Sequence, residues 1–246
     1  MSPYRQIMLI GLLCGGLGAA WAQSCSSSSA HRPMAVVELY TSQGCSSCPP
    51  ADRWLSSLQA RDDVLALSFH VNYWNSLGWK DPFATTQTTE RQVRWKNELA
   101  GSYVYTPQII INGIEERSWA RRQVNDLLPL KVKGAPVVIV QRQGDTVSAQ
   151  VSASAAGAPL RWAGYWVVLQ DAQTTRVAAG ENAGRQLRND HVVTQYVPVP
   201  AWSSAQAQNF KLQPAVALGQ RLAFVVTQES GMTPVQATLL ACKNQG

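Results

Sequence analysis

The sequence predicts an α/β N-terminal domain followed by a mainly antiparallel, sandwich-like β domain, on three observations. The apolar run Val36-Val37-Glu38-Leu39-Tyr40 leads into Cys45-Ser46-Ser47-Cys48, and Pro49-Pro50-Ala51-Asp52 then opens a helical pattern. Strand-like and helix-like stretches alternate throughout residues 35–133, which is the α/β signature. Across residues 134–246, strand-like runs alternate with Gly, Asp, Asn and Pro turns, and helical periodicity is scarce.

Residues 1–22 read as an export signal. Arg5 supplies a positive start, residues 7–18 form a short apolar stretch, and Ala20-Trp21-Ala22 offers a small-x-small cleavage site before Gln23. The apolar stretch is too short to span a bilayer and no later segment is long enough. A retained anchor is the competing reading. Lipidation is disfavoured because Cys14 and Cys25 lack the small residues that precede a lipidated cysteine. Residues 23–34, with the serine run Ser26–Ser29, are expected to be a flexible linker.

Within residues 35–133, a buried-type strand is expected over 34–40 and a helix over 48–60. The two prolines of that helix fall in its first turn, where a missing N–H costs little, and Trp54, Leu55 and Leu58 form its apolar stripe. A second strand follows over 64–73, a loop over 75–82 and an amphipathic helix over 87–99. A third strand, 108–111, turns at Asn112-Gly113, and a last helix is expected over 119–128, ended by Pro129. Lys131-Val132-Lys133-Gly134 marks the junction. Beyond it, strands are expected over 136–141, 146–153, 164–170, 192–199 and 221–228.

Lysine and arginine number 21 against 15 acidic residues, a formal charge of +6 that falls to +5 once Arg5 is removed. No basic run exceeds Arg121-Arg122, so the surface has no footprint for nucleic acid. Signal cleavage leaves Cys25, Cys45, Cys48 and Cys242, an even number that fits an oxidising compartment. Three pairings are open to four cysteines. Cys45–Cys48 with Cys25–Cys242 is the preferred scheme, the second pair joining the two ends of the mature chain. Two unpaired terminal thiols are the alternative.

A thiolate at a helix start feels the positive end of the macrodipole and unpaired backbone N–H groups. Its pKa can fall from roughly 8.5 to about 7 or lower. The C-x-x-C spacing also lets both sulfurs sit on one turn and close a small disulfide ring. A second element, Tyr105-Thr106-Pro107-Gln108-Ile109-Ile110-Ile111-Asn112-Gly113, sets a proline just before a short strand and hairpin.

This order of elements over residues 35–133 resembles the thioredoxin superfamily. More closely, residues 38–52, His70-Val71-Asn72-Tyr73-Trp74, Leu77-Gly78-Trp79-Lys80-Asp81-Pro82-Phe83 and Tyr105-Thr106-Pro107-Gln108 resemble a family of bacterial exported proteins of unknown function with a thioredoxin-like N-terminal half. Gly180-Glu181-Asn182-Ala183-Gly184-Arg185 is similar to that family's C-terminal half. The resemblance implies a thioredoxin-like fold, a periplasmic or secreted location and no established substrate. The family pattern has aspartates where this chain has Asn72 and Asn75, so a role of those carboxylates has no counterpart at these two positions.

The resemblance implies Cys45 as the attacking, less buried thiolate and Cys48 as the resolving thiol. It further implies a cis Thr106–Pro107 bond, with Thr106 and Pro107 set to receive a bound peptide. Glu38 is expected either to handle the proton of Cys48, its pKa raised by burial without a partner, or simply to face water. Trp74 and Trp79 are expected either to wall a substrate site or to pack the helix onto the sheet. Gly180 to Arg185 is taken as a solvated turn. His31 and His191 have no assigned role.

The leading functional expectation is an exported thiol–disulfide oxidoreductase that uses no cofactor and exchanges with protein thiols or disulfides of an unidentified redox partner. The second is a carrier holding copper(I) or zinc on Cys45, Cys48 and His70, a soft ligand set that suits those ions. The third is a binding module in which a permanent Cys45–Cys48 disulfide only staples a helix start.

Overall fold

The structure is a computed structural model that describes residues 24–30, 32–154, 161–213 and 220–242. The expected export signal with its cleavage site and Cys14, and His31, lie outside the described residues.

Strands dominate, and the described residues hold two α-helices. The strands in chain order are β1 (Ser24–Ser28), β2 (Ala35–Thr41), β3 (Val64–His70), β4 (Gln108–Ile111), β5 (Ile114–Glu115), β6 (Val138–Gln143) and β7 (Thr146–Val151). They continue with β8 (Arg161–Gln170), β9 (Gln173–Arg176), β10 (Gln186–Asn189), β11 (Val192–Ser203), β12 (Gln208–Lys211), β13 (Arg221–Gln228) and β14 (Pro234–Leu240). The helices are α1 (Pro49–Ser56), extended by a 3₁₀ turn over Ser57–Ala60, and α2 (Thr86–Glu98).

Eight strands form one sheet in the order β14-β13-β8-β11-β3-β2-β4-β5. β2 and β3 run parallel from Ala35 opposite Val64 to Thr41 opposite His70. β11 joins the free edge of β3 in parallel at Val192 and Ser68, and Ser68 N donates to His191 O at 2.8 Å. The strands expected in separate halves are therefore continuous. A second sheet, β1-β6-β7-β12, packs on one face, and β9 with β10 form a two-stranded ribbon.

This corrects the expected fold class. The fold is mainly β with several sheets, not a thioredoxin-like α/β domain followed by a separate sandwich. The physical reason is twofold. The buried edge of β3 needs a backbone partner, and β11 supplies it. The helix expected over 119–128 forms only the short 3₁₀ turns Trp119–Arg121 and Val124–Asp126, because Arg121-Arg122-Gln123 and Asn125-Asp126 leave too little apolar surface to hold a helix against a sheet. The serine run read as a flexible linker is also corrected: β1 pairs antiparallel with β6, Ser24 opposite Gln143 through Ser28 opposite Ile139.

Period-two alternation distributes three core clusters over the sheet faces. Val37 and Leu39 of β2 pack with Ala51, Leu55 and Leu58 under α1. Val36 and Tyr40 turn the other way, into a cluster with Trp95 of α2, Phe69, Tyr165 and Tyr196. Trp166, Phe224 and Val226 face Val138, Val140 and Val147 of the second sheet. Cys25 and Cys242 are disulfide-bonded, as the preferred scheme has it, and tie β1 to the end of β14. α2 opens with a capping box in which Thr85 Oγ1 accepts from Thr88 N and Thr88 Oγ1 accepts from Thr85 N.

Candidate functional site around the Cys45–Cys48 pair

β2 ends at Thr41, and a tight loop carries the chain to α1. Cys45 N donates to Ser42 O, Cys48 N to Cys45 O, and Ala51 N and Asp52 N both to Cys48 O, so Cys48 is the N-cap of the helix. Pro49 and Pro50 fill its first positions, where a missing donor costs little. Cys45 and Cys48 are disulfide-bonded. Both residues are fully buried, at 0 % exposure, which corrects the expectation that Cys45 is the less covered of the two. Ser46 and Ser47 between them are exposed.

Thr106 and Pro107 are brought to the sulfurs as expected. The Thr106–Pro107 peptide is cis, and Cys45 Sγ lies 3.9 Å from Thr106 O. Ser47 Oγ is 3.3 Å from the same sulfur. Trp74 and Trp79 are half-buried around the site. Trp74 Nε1 donates to Thr106 Oγ1 at 2.8 Å, and Trp79 Nε1 donates to Gln43 Oε1 at 3.1 Å. Trp74 thus braces the segment that faces Cys45, and Trp79 the loop that carries it.

Glu38 is not part of this group. It faces the α2 side of β2, away from α1, and is clamped by donors. Arg91 Nη2 and Nε donate to its two oxygens at 2.6 and 3.1 Å, Tyr40 Oη at 2.7 Å, Trp95 Nε1 at 2.9 Å and Tyr165 Oη at 3.2 Å. Burial alone would raise its pKa, but the charge and hydrogen bonds of Arg91, with Tyr40 and Trp95, hold it below the usual value. The unpartnered carboxyl expected here is therefore absent, and Glu38 anchors the core.

His70 is paired through one ring nitrogen. Its buried Nδ1 pairs with Asp81 Oδ2 at 2.8 Å, and among the described residues no three ligand-type side chains are grouped to hold a metal. Burial would lower the pKa of His70; the Asp81 carboxylate outweighs this and raises it. For Asp81, burial would raise the pKa, and His70 together with the backbone N–H groups of Gln43 and Phe83 lowers it.

The buried acid on the helix that the dithiol opens is Asp52, one helical turn after Cys48. It is buried, its Oδ1 has no hydrogen-bond partner, and the same holds for Thr41 Oγ1 and His70 Nε2, which occupy opposing positions of β2 and β3. Burial pushes the pKa of Asp52 up to about 6, against the opposing pull of His70 and Thr41. A cavity of about 530 Å³, lined among others by Pro49, Asp52, Arg53, Ser56, Arg185 and Arg188, opens between α1 and β10. The signal for Asp52 was present in the sequence as an acid four residues after Cys48, on the face of the helix that carries Ala51 and Leu55.

The loop between β9 and β10 also reaches the site, where a solvated turn was expected. Asn182, fully buried, donates from Nδ2 to Gln43 O at 3.0 Å and to Cys45 O at 2.8 Å. Glu181 Oε2 accepts from Ser46 N at 2.8 Å and Ser46 Oγ at 2.7 Å. Gly180 holds φ +75°, a left-handed backbone that favours glycine over any residue with a Cβ.

A search of curated proteins gives no match. A crystal structure of a protein from Agrobacterium tumefaciens, a structural-genomics target, is 30% identical, with 87% of this chain and 97% of that chain covered and a TM-score of 0.69. HBP35 of Porphyromonas gingivalis is similar in fold alone, at 12% identity, 87% and 76% coverage and a TM-score of 0.52. Residues 36–228 match the family described as "Protein of unknown function (DUF1223)", and the chain belongs to that family.

Proposed function

We propose that the protein is an exported thiol–disulfide oxidoreductase whose working group is the Cys45–Cys48 pair. The observation that carries this reading is a dithiol-spaced disulfide at the start of α1, followed one helical turn later by a buried carboxyl with an unpartnered oxygen. A staple would need no such acid, and a buried carboxyl oxygen left without a hydrogen bond is costly to keep. The proposed location, the periplasm or the exterior of a bacterium, rests on the N-terminal sequence pattern and on two disulfides, which suit an oxidising compartment. Among the described residues no helix is long and apolar enough to cross a membrane.

In the reducing direction, the Cys45 thiolate attacks one sulfur of a partner's disulfide. The Cys45–partner bond forms, the partner's S–S bond breaks, and the departing thiolate takes a proton. Cys48 then gives its proton to Asp52 and attacks Cys45 Sγ, closing the intramolecular disulfide and releasing the partner's second thiolate, which is protonated in turn. Two electrons pass from the dithiol to the partner. The oxidising direction is the reverse, and the reduction potential decides between them. Because Cys45 is covered, the partner must displace part of its surround, which includes Thr106 and Ser47, to reach it.

The test is reduction of a protein disulfide by the reduced protein, with Cys45→Ser alongside. Turnover that vanishes in Cys45→Ser supports the reading. Full activity in that variant, or none in the wild type in either direction, overturns it.

A further inference from the structure

The Gly180–Arg185 loop is the part of the C-terminal half with an unexplained grip on the dithiol, and its two polar contacts differ in kind. Asn182 is neutral and buried, and its donors hold the carbonyls of Gln43 and Cys45 in place. Glu181 is exposed and carries a full charge. Its carboxylate is bound by the backbone N–H and the hydroxyl of Ser46, the residue between Cys45 and the rest of the turn, and both contacts keep it ionised. The loop itself is fixed, since Val177 N donates to Arg185 O, Gly184 N to Val177 O and Glu181 N to Gly44 O.

Resting on the oxidoreductase reading, we propose that Glu181 is a positioning residue that restrains ionisation of Cys45. Two physical effects act in the same direction. Ser46 N–H is a backbone donor in the turn between Cys45 and the helix, a kind of group that can stabilise a neighbouring thiolate, and Glu181 occupies it. The carboxylate also fixes a negative charge on the residue that follows Cys45, and like charges disfavour one another's ionised forms. The attacking thiol is thereby held closer to its unperturbed pKa than the helix start alone would allow, and the dithiol is a correspondingly stronger reductant.

The other titratable or charged groups on the elements around the pair include Asp52 and Arg53 of α1, Glu38 and Tyr40 of β2, His70 of β3, Tyr73, Lys80 and Asp81 of the loop after it, Tyr105, Arg185, Arg188 and Asp190. Arg185 Nη1 is bonded to Asn182 Oδ1. Substitution at position 181 changes none of them, so the effect of its charge can be read separately.

The experiment is the pH dependence of iodoacetamide alkylation of Cys45 in the reduced full chain, for wild type, Glu181→Gln and Glu181→Ala. Glu181→Gln keeps an oxygen for Ser46 N–H and removes the charge; its midpoint is expected to fall by about half a pH unit, raising the rate below the midpoint about threefold. Glu181→Ala also frees the N–H and is expected to fall further. Midpoints equal to that of the wild type in both variants overturn the role of Glu181 and leave the oxidoreductase reading standing. A Cys45 that stays unalkylated at every pH in the reduced, folded wild type overturns the oxidoreductase reading, and the role of Glu181 with it.

Discussion

Replacing Asp52 by Asn tests whether the buried acid is a working proton acceptor. In the folded chain its pKa is about 6, against an ordinary 3.8, with burial as the leading cause. A folded pKa above the unfolded value means that the stabilising contribution is present below about pH 4 and is lost as pH rises through about 6. A difference of roughly 2 units corresponds to about 3 kcal/mol. Asn cannot ionise, so Asp52→Asn is expected to exceed the wild type in stability by up to about 3 kcal/mol at pH 7.5, with the gap closing toward pH 4. Urea unfolding of the oxidised proteins at a series of pH values reads this directly. The same variant loses the acceptor for the Cys48 proton, and resolution of a mixed disulfide is expected to slow by about tenfold or more. A variant that is more stable yet slower is the diagnostic combination. Parallel stability profiles for wild type and Asp52→Asn, together with unchanged resolution rates, would refute the reasoning.

Two further predictions concern the frame that holds the site. Glu38→Gln leaves Arg91 as an uncompensated buried cation, its remaining contacts being Tyr196 Oη, Gly231 O and the faces of Tyr165, Tyr196 and Phe69. It is expected to cost about 3–5 kcal/mol in urea unfolding, and a loss below about 1 kcal/mol would contradict the anchoring role. Removing the Cys25–Cys242 bridge, which spans 217 residues of sequence, with the double Ser variant is expected to cost at most about 5 kcal/mol by chain entropy. Retention of full stability would mean that the β1–β6 pairing alone holds the N-terminus.

The elements that the sequence made legible are those with long apolar patterns. Val64–His70 and Arg221–Gln228 stood out because nearly every residue is buried on both faces, and Thr86–Glu98 because its stripe and cap are local. Gln173–Arg176, Gln186–Asn189 and Gln208–Lys211 escaped notice because they are short and largely polar. Ser24–Ser28 carries no pattern of its own and is held by backbone pairing and one disulfide. The mistaken fold class has the same root. Nothing local in Val192–Ser203 reveals that its first residue pairs with β3, more than a hundred positions earlier.

The candidate site divides along the same line. Cys45, Cys48, Thr106 and Pro107 were legible because their spacing and order are sequence-local properties. Glu38 was misjudged because alternation along β2 sends it to the opposite face from α1, where Arg91 waits 53 residues away. Glu181 and Asn182 were passed over because their partners, Ser46 and the carbonyls of Gln43 and Cys45, lie more than a hundred residues upstream.

The central claim is that sulfur 45 exchanges covalently with a partner while sulfur 48 resolves the product. Mass spectrometry of reduced Cys48→Ser mixed with an oxidised protein substrate reads it most directly. A stable one-to-one adduct through Cys45, absent from Cys45→Ser and released by added thiol, is the predicted result. An unmodified Cys45 after prolonged incubation, in a chain that remains folded, would reduce the pair to a staple at the start of a helix.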